Sequence, residues 1–170
     1  LFFKPDGLKM FVTGTSGDAV YEYSLSSAGN VSTLSYVQSF SVSAQDTAPL
    51  GLSFKPDGTR MYVLGGVGDD VLQYMLSTAW NVSTASYLQS FLIDAQDPSA
   101  VGLFFNPGGT GFYIVGSTND AVYQYSVGTP SQTYYVISDA TNWETGIGTV
   151  IDFGTTLLRT QVFESSNGDA

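Results

Sequence analysis

The sequence predicts an all-β fold assembled from repeated four-stranded units. Three observations predict it. First, Leu1-Phe2-Phe3-Lys4-Pro5-Asp6-Gly7 returns as Leu52-Ser53-Phe54-Lys55-Pro56-Asp57-Gly58, then as Leu103-Phe104-Phe105-Asn106-Pro107-Gly108-Gly109, offset by 51 residues both times. Second, short β-branched and aromatic stretches alternate with turn residues, as pleated half-buried strands require. Third, no segment combines a helical period, adequate length and caps.

The register holds through each unit. Gly14, Gly65 and Gly116 align, as do Asp18, Asp69 and Asp120, and Tyr23, Tyr74 and Tyr125. Asn30-Val31-Ser32-Thr33 matches Asn81-Val82-Ser83-Thr84, and Ala44-Gln45-Asp46 matches Ala95-Gln96-Asp97. In the second unit strands are expected at about 50–55, 60–65, 70–76 and 86–92. The first turn is Lys55-Pro56-Asp57-Gly58, where Pro presets φ, Asp bonds locally and Gly takes the positive-φ position. The second turn is Gly65-Gly66-Val67-Gly68-Asp69, the third runs from Ser77 to Ser86, and the fourth spans Ala95 to Ala100.

Four strands in a unit of this length is the signature of a propeller blade. The repeat therefore predicts β-propeller blades at 1–51 and 52–102 and a partial blade at 103–127. A solenoid or sandwich built from the same repeat is the competing fold. Two blades and part of a third do not close a ring, which takes about four to eight. The remaining blades are expected elsewhere in the polypeptide or in neighbouring chains. After Tyr125 the register breaks, and 128–170 reads as a separate small β-module, truncated at its end. Its strands are expected around Tyr134-Tyr135-Val136-Ile137, Thr141 to Gly148, and Leu157 to Phe163.

Composition removes much chemistry. The chain of 170 residues holds no histidine and no cysteine. Disulfides, thiolate nucleophiles, cysteine-ligated metals, imidazole bases and Ser-His-Asp triads are excluded. A net charge of −10, from five Lys and Arg against fifteen Asp and Glu, argues against nucleic acid as a partner. The longest apolar runs are far too short for a membrane span. Opening at Leu1, the chain reads as an internal or processed fragment. Carboxylate chemistry, calcium, carbohydrate contacts or a purely architectural role remain.

The run from Phe54 to Gly65, Phe-x-Pro-Asp-Gly followed by Met-Tyr-Val and Gly, with Asp69-x-Val71-x-Gln73-Tyr74, resembles blades of lactonase-like and surface-layer-type β-propellers. It is similar to propeller repeats of phage and marine virus proteins. The run Trp143-Glu144-x-Gly146-Ile147-Gly148-Thr149, with Leu158-Arg159-Thr160 and Ser165-Ser166-Asn167, resembles a small β-module of tailed-phage virion proteins. That resemblance implies a structural Trp143 as core plug and an Arg159 partnered by Glu144. Together the two resemblances imply a non-enzymatic virion attachment or assembly protein, in a tail fibre, appendage or head decoration. Its location would be the virion surface, with other copies of the chain, other virion proteins and a host-surface glycan or protein as partners. The alternative is a secreted or surface lactonase-like or glycan-binding propeller of a bacterium.

The candidate site residues are acidic. Up-and-down connectivity puts the turns of Asp18, Asp69 and Asp120 on the same face as the loops of Asp46 and Asp97, with Asp70 and Asp94 nearby. Hard cations take several carboxylate and carbonyl oxygens, so this face is the candidate calcium site. The structural reading is that each Asp bonds backbone amides of a turn. No other cofactor is expected. Asn30 and Asn81 head glycosylation-type triplets. Trp80, Tyr21 and Tyr123 either stack on sugars or pack between blades. A catalytic carboxylate is expected to break the repeat, and these aspartates keep it.

Overall fold

A computed structural model describes residues 1–126 and the strands at 131–138, 143–151 and 156–165. The side chains of Trp143, Glu144 and Arg159 lie outside the described residues. The first blade is β1 (Phe2–Phe3), β2 (Lys9–Gly14), β3 (Ala19–Leu25) and β4 (Leu34–Ser41). The second is β5 (Pro49–Phe54), β6 (Arg60–Gly65), β7 (Asp70–Leu76) and β8 (Ala85–Leu92). Each is a four-stranded antiparallel sheet in sequence order, and these bounds match the strands expected from the repeat. The third blade shows β9 (Ala100–Phe105), β10 (Gly111–Gly116) and β11 (Val122–Ser126). A further three-stranded antiparallel sheet is formed by β12 (Ser131–Ser138), β13 (Trp143–Ile151) and β14 (Thr156–Ser165). The chain divides into two compact units, Leu1–Tyr125 and Ser126–Ala170. The architecture is all-β, built of propeller blades in an incomplete ring.

Turn chemistry sets the blade. Gly7, Gly58 and Gly109 each adopt φ near +71°, the left-handed position that the Pro-Asp-Gly and Pro-Gly-Gly turns need and a Cβ disfavours. Asp6 and Asp57 accept the amide two residues on, closing the same turns. Asn30 and Asn81 accept the amides of Ser32 and Ser83 and so cap two short 3₁₀ turns. Those side chains serve as caps, which accounts for the Asn-Val-Ser pattern without a glycan.

Blades join face to face through apolar side chains of opposite pleats. Phe11, Val20 and Val42 of the first blade pack with Leu52, Phe54, Met61, Val63, Leu72 and Tyr74 of the second. Phe54 is the hub, its ring centroid 4.5 Å from Phe11, 5.3 Å from Phe2 and 5.4 Å from Trp80. Trp80 holds φ +62°, where the first blade has Gly29, and its indole covers Gly58. Trp80 is therefore an interblade packing residue. The second joint repeats the plan, with Tyr62 of the second blade stacked on Phe105 of the third at 4.6 Å and Phe91 edge-on to Tyr125 at 5.1 Å.

The joints predict a graded response to truncation. Phe54→Ala removes a side chain that is 2% exposed and touches three other rings, and should cost about 3–5 kcal/mol in urea unfolding. Val115→Ala, at a side chain 45% exposed, should change stability by less than about 0.5 kcal/mol.

Candidate functional site

The acidic candidates fall into two structural roles, both set by the connector that carries the chain from one blade to the next. Asp18, Asp69 and Asp120 hold φ between +44° and +50°, a left-handed corner that Asp tolerates better than most residues. At this corner the carbonyls of Asp18 and Asp69 turn to accept the amides of Val42 and Ile93 at 2.8 and 2.9 Å. These bonds pin the start of each connector to its own blade.

Asp46 and Asp97 pin the other end. The Asp46 carboxylate, 3% exposed, accepts the amide of Ala48 at 2.6 Å and those of Val67 and Gly68, in the turn of the second blade, at 3.0 and 2.9 Å. Asp97 repeats this with Ser99, Thr118 and Asn119 at 2.9, 3.3 and 2.9 Å. The preceding glutamine completes the grip, because the Tyr74 hydroxyl donates to Gln45 and the Tyr125 hydroxyl to Gln96, both at 3.2 Å. Burial pushes the Tyr74 phenol well up, so it remains a donor at any working pH. Gly65 and Gly116 are glycines for a local reason: a Cβ on Gly65 would lie 2.7 Å from Asp46 Oδ2, and one on Gly116 would collide with Asp97.

These five aspartates thus line one end of the blades, but Asp46 and Asp97 spend their oxygens on backbone amides. Among the described residues no three Asp, Glu, His or Cys side chains gather as a metal site. The calcium site expected from the sequence has no assembled donor set there.

Two buried carboxylates break the repeat. Glu22 stands where the other blades have Gln73 and Gln124. It is 1% exposed, ion-paired with Lys9, and accepts Gln38 Nε2 at 2.7 Å and the Val82 amide at 3.1 Å. Lys9 also donates to the Trp80 carbonyl at 2.9 Å. The cluster clips the first blade to the loop of the second at the end opposite the aspartate latch. Asp70 stands where the other blades have Ala19 and Ala121. Its Oδ1 is buried without a hydrogen-bond partner. Burial first, then the charges of Asp46 and Asp69, raise its pKa against the lowering contact of Ser90. For Asp97 the opposite holds: burial raises its pKa, but the amides of Asn119, Ser99 and Thr118 bring it below the ordinary carboxylate value. Glu22 escaped the sequence reading, although its departure from Gln73 and Gln124 was the signal. Tyr21 and Tyr123 are half-buried, and the Tyr123 hydroxyl donates to the Gln96 carbonyl at 2.9 Å, so Tyr123 ties the connector rather than standing free as a sugar platform.

The sequence matches no protein-family model and no curated protein. Solved structures share its fold. A provisionally named 6-phosphogluconolactonase of Bacteroides uniformis matches with TM-score 0.56 at 14% identity, over 94% of this chain and 52% of its own. The periplasmic gluconolactonase of Pseudomonas aeruginosa matches with TM-score 0.51 at 14% identity, over 96% of this chain and 38% of its own. The β-propeller domain of Cps50 (Swd1) from Myceliophteria thermophila matches with TM-score 0.55 at 10% identity, over 75% and 39%. The chain thus spans about half the length of the first and under two fifths of the others. Two of these are named as gluconolactonases and the third as a β-propeller domain, and nothing in them supports the virion reading. They also correct the expectation of a non-enzymatic scaffold: structures named as gluconolactonases carry this blade architecture, so the repeat alone does not mark an inert platform.

Three substitutions separate the roles of the acidic residues. Asp46→Ala strands three backbone donors at the joint and should cost about 3 kcal/mol in chemical denaturation. Asp97, with its lowered folded pKa, contributes stability that is full above the unfolded value of about 3.9 and is lost as pH falls through the folded one. Asp97→Asn should therefore flatten the acid limb of stability below about pH 4. Asp70 has the reverse sign: its penalty is absent below the unfolded pKa and grows as pH rises to the raised folded value. Asp70→Asn should raise the melting temperature at pH 7, with the gain vanishing below about pH 4.

Proposed function

We propose that this chain forms part of a lactonase-like β-propeller that hydrolyses a small, uncharged sugar lactone. The observation that carries the reading is the match of nearly the whole chain to structures named as gluconolactonases. Opening a lactone needs an activated water and donors for the oxyanion. Neither step requires the thiol or imidazole this chain lacks.

The preference for an uncharged substrate comes from charge. The chain carries −10 overall, and Lys4, Lys9 and Lys55 are each paired with a carboxylate. Arg60 turns one nitrogen back to the Thr59 carbonyl at 3.4 Å. Such a surface repels a phosphorylated lactone and leaves few cations to receive one. Glu22 and Asp70 serve the joints in this reading, since burial withholds both from substrate. Location outside the cytoplasm belongs to the same reading, supported by the periplasmic Pseudomonas aeruginosa neighbour. Among the described residues no helix is long and apolar enough to cross a membrane.

The test is proton release in a pH-stat with the purified protein. Gluconolactone should be opened above the buffer rate, and roughly fivefold faster than its 6-phosphate. That is the effect of about 1 kcal/mol of repulsion between unit charges in water. Buffer-rate release with both lactones would overturn the proposal, and faster release with the phosphate would overturn the charge argument.

A further inference from the structure

Asp70 gives one of the two latched joints a second carboxylate. It stands at the start of β7, opposite Gly65 on β6 and Leu92 on β8. Asp70 is 8% exposed and Asp46 3%. A Cβ on Gly65 would lie 2.7 Å from Asp70 Oδ1 and 2.7 Å from Asp46 Oδ2, so the two oxygens converge on one point. The same Asp70 oxygen would lie 3.1 Å from a Cβ on Gly68, so it is aimed beneath this turn. At the second joint the three atoms nearest a Cβ on Gly116 all belong to Asp97, because Ala121 brings no carboxylate there.

The two oxygens differ in their partners. Asp46 Oδ2 accepts the amides of Val67 and Gly68. Asp70 Oδ1 is buried and has no hydrogen-bond partner. A buried carboxylate oxygen without a donor, set beside a second carboxylate, is costly unless a positive charge meets it. Among the described residues no side chain brings one. Lys4, Lys9 and Lys55 pair with Asp6, Glu22 and Asp57, and Arg60 begins β6 at the end away from Gly65. Burial first, then the charges of Asp46 and Asp69, disfavour the ionised form of Asp70 against the lowering contact of Ser90.

We propose that Asp46 Oδ2 and Asp70 Oδ1 bind a hard divalent cation of the calcium class at the joint between the first and second blades. Two carboxylates balance its charge, and such cations take carboxylate oxygens with water in the remaining positions. Val67, 68% exposed, and the exposed Gly68 leave the turn open to solvent, which gives water and the ion a way in. The site is one joint, not the ring of equivalent aspartates expected from the repeat, and the departure at Asp70 creates it. Amides alone hold the second joint, so the cation makes the two joints unequal. Its role is structural and independent of the lactone chemistry.

The test is thermal unfolding of the full chain at about pH 7, stripped with EDTA and then given calcium chloride or sodium chloride of matched ionic strength. Saturating calcium should raise the melting temperature by roughly 5 °C, the shift expected of a ligand at about a hundred times its dissociation constant. Matched sodium chloride should not. Asp70→Asn should abolish the gain while melting no lower than the unsubstituted chain in EDTA, which separates lost binding from lost folding. Hydrogen exchange supplies the local readout: calcium should slow the Val67 and Gly68 amides roughly tenfold and leave those of Thr118 and Asn119 unchanged. An unchanged melting temperature in calcium, an equal gain in Asp70→Asn, or equal slowing at both turns would overturn the proposal.

Discussion

A buried carboxylate holding three backbone amides is the interaction on which this arrangement depends. A sheet buries its pleats by stacking on another sheet, and apolar contact alone leaves the angle and slide between the two loosely set. Asp46 and Asp97 remove that freedom, because a carboxylate bound by several amides in a dry joint accepts few geometries. The left-handed corners at Asp18 and Asp69 fix the near end of each connector. The chain between is then too short to wander. Glycine at 65 and 116 follows as a steric consequence.

Most of the fold was legible because the repeat supplies its own controls. Three aligned copies separate residues that every blade needs from those that only one has, and the turn residues fix strand ends through φ. The acidic residues were legible as to position, and their two possible jobs were both in view, but the choice between them was not. Whether Asp46 faces a cation or an amide depends on which turn of the next blade swings beneath it, and no local pattern encodes a contact across 22 residues. Trp80 shows the same limit. Its left-handed backbone and its place over Gly58 come from the aromatic cluster around Phe54, not from its neighbours in sequence.

The functional expectation changed for a related reason. Equivalent aspartates in every blade looked like a scaffold, and the latch geometry agrees with that for Asp46 and Asp97. Yet a blade architecture says little about what a ring of such blades does, since function resides in sites grafted on it. The departures from the repeat are the informative positions. Glu22 turns one departure into an ion-paired clip between blades, and Asp70 turns another into a buried, partly unsatisfied carboxylate beside Asp46. Both spend stability on local charge in a chain with few cations, which makes the amide latch more important.

Residue-resolved amide hydrogen exchange tests the latch most directly, because the molecule contains its own comparison. Ser16, Gly17, Val67, Gly68, Thr118 and Asn119 all lie in solvent-exposed turns of one shape. If the carboxylates hold the joints, the amides of Val67, Gly68, Thr118 and Asn119 should exchange roughly 100-fold more slowly than those of Ser16 and Gly17, after correction for intrinsic rates. Equal protection across the three turns would contradict the account.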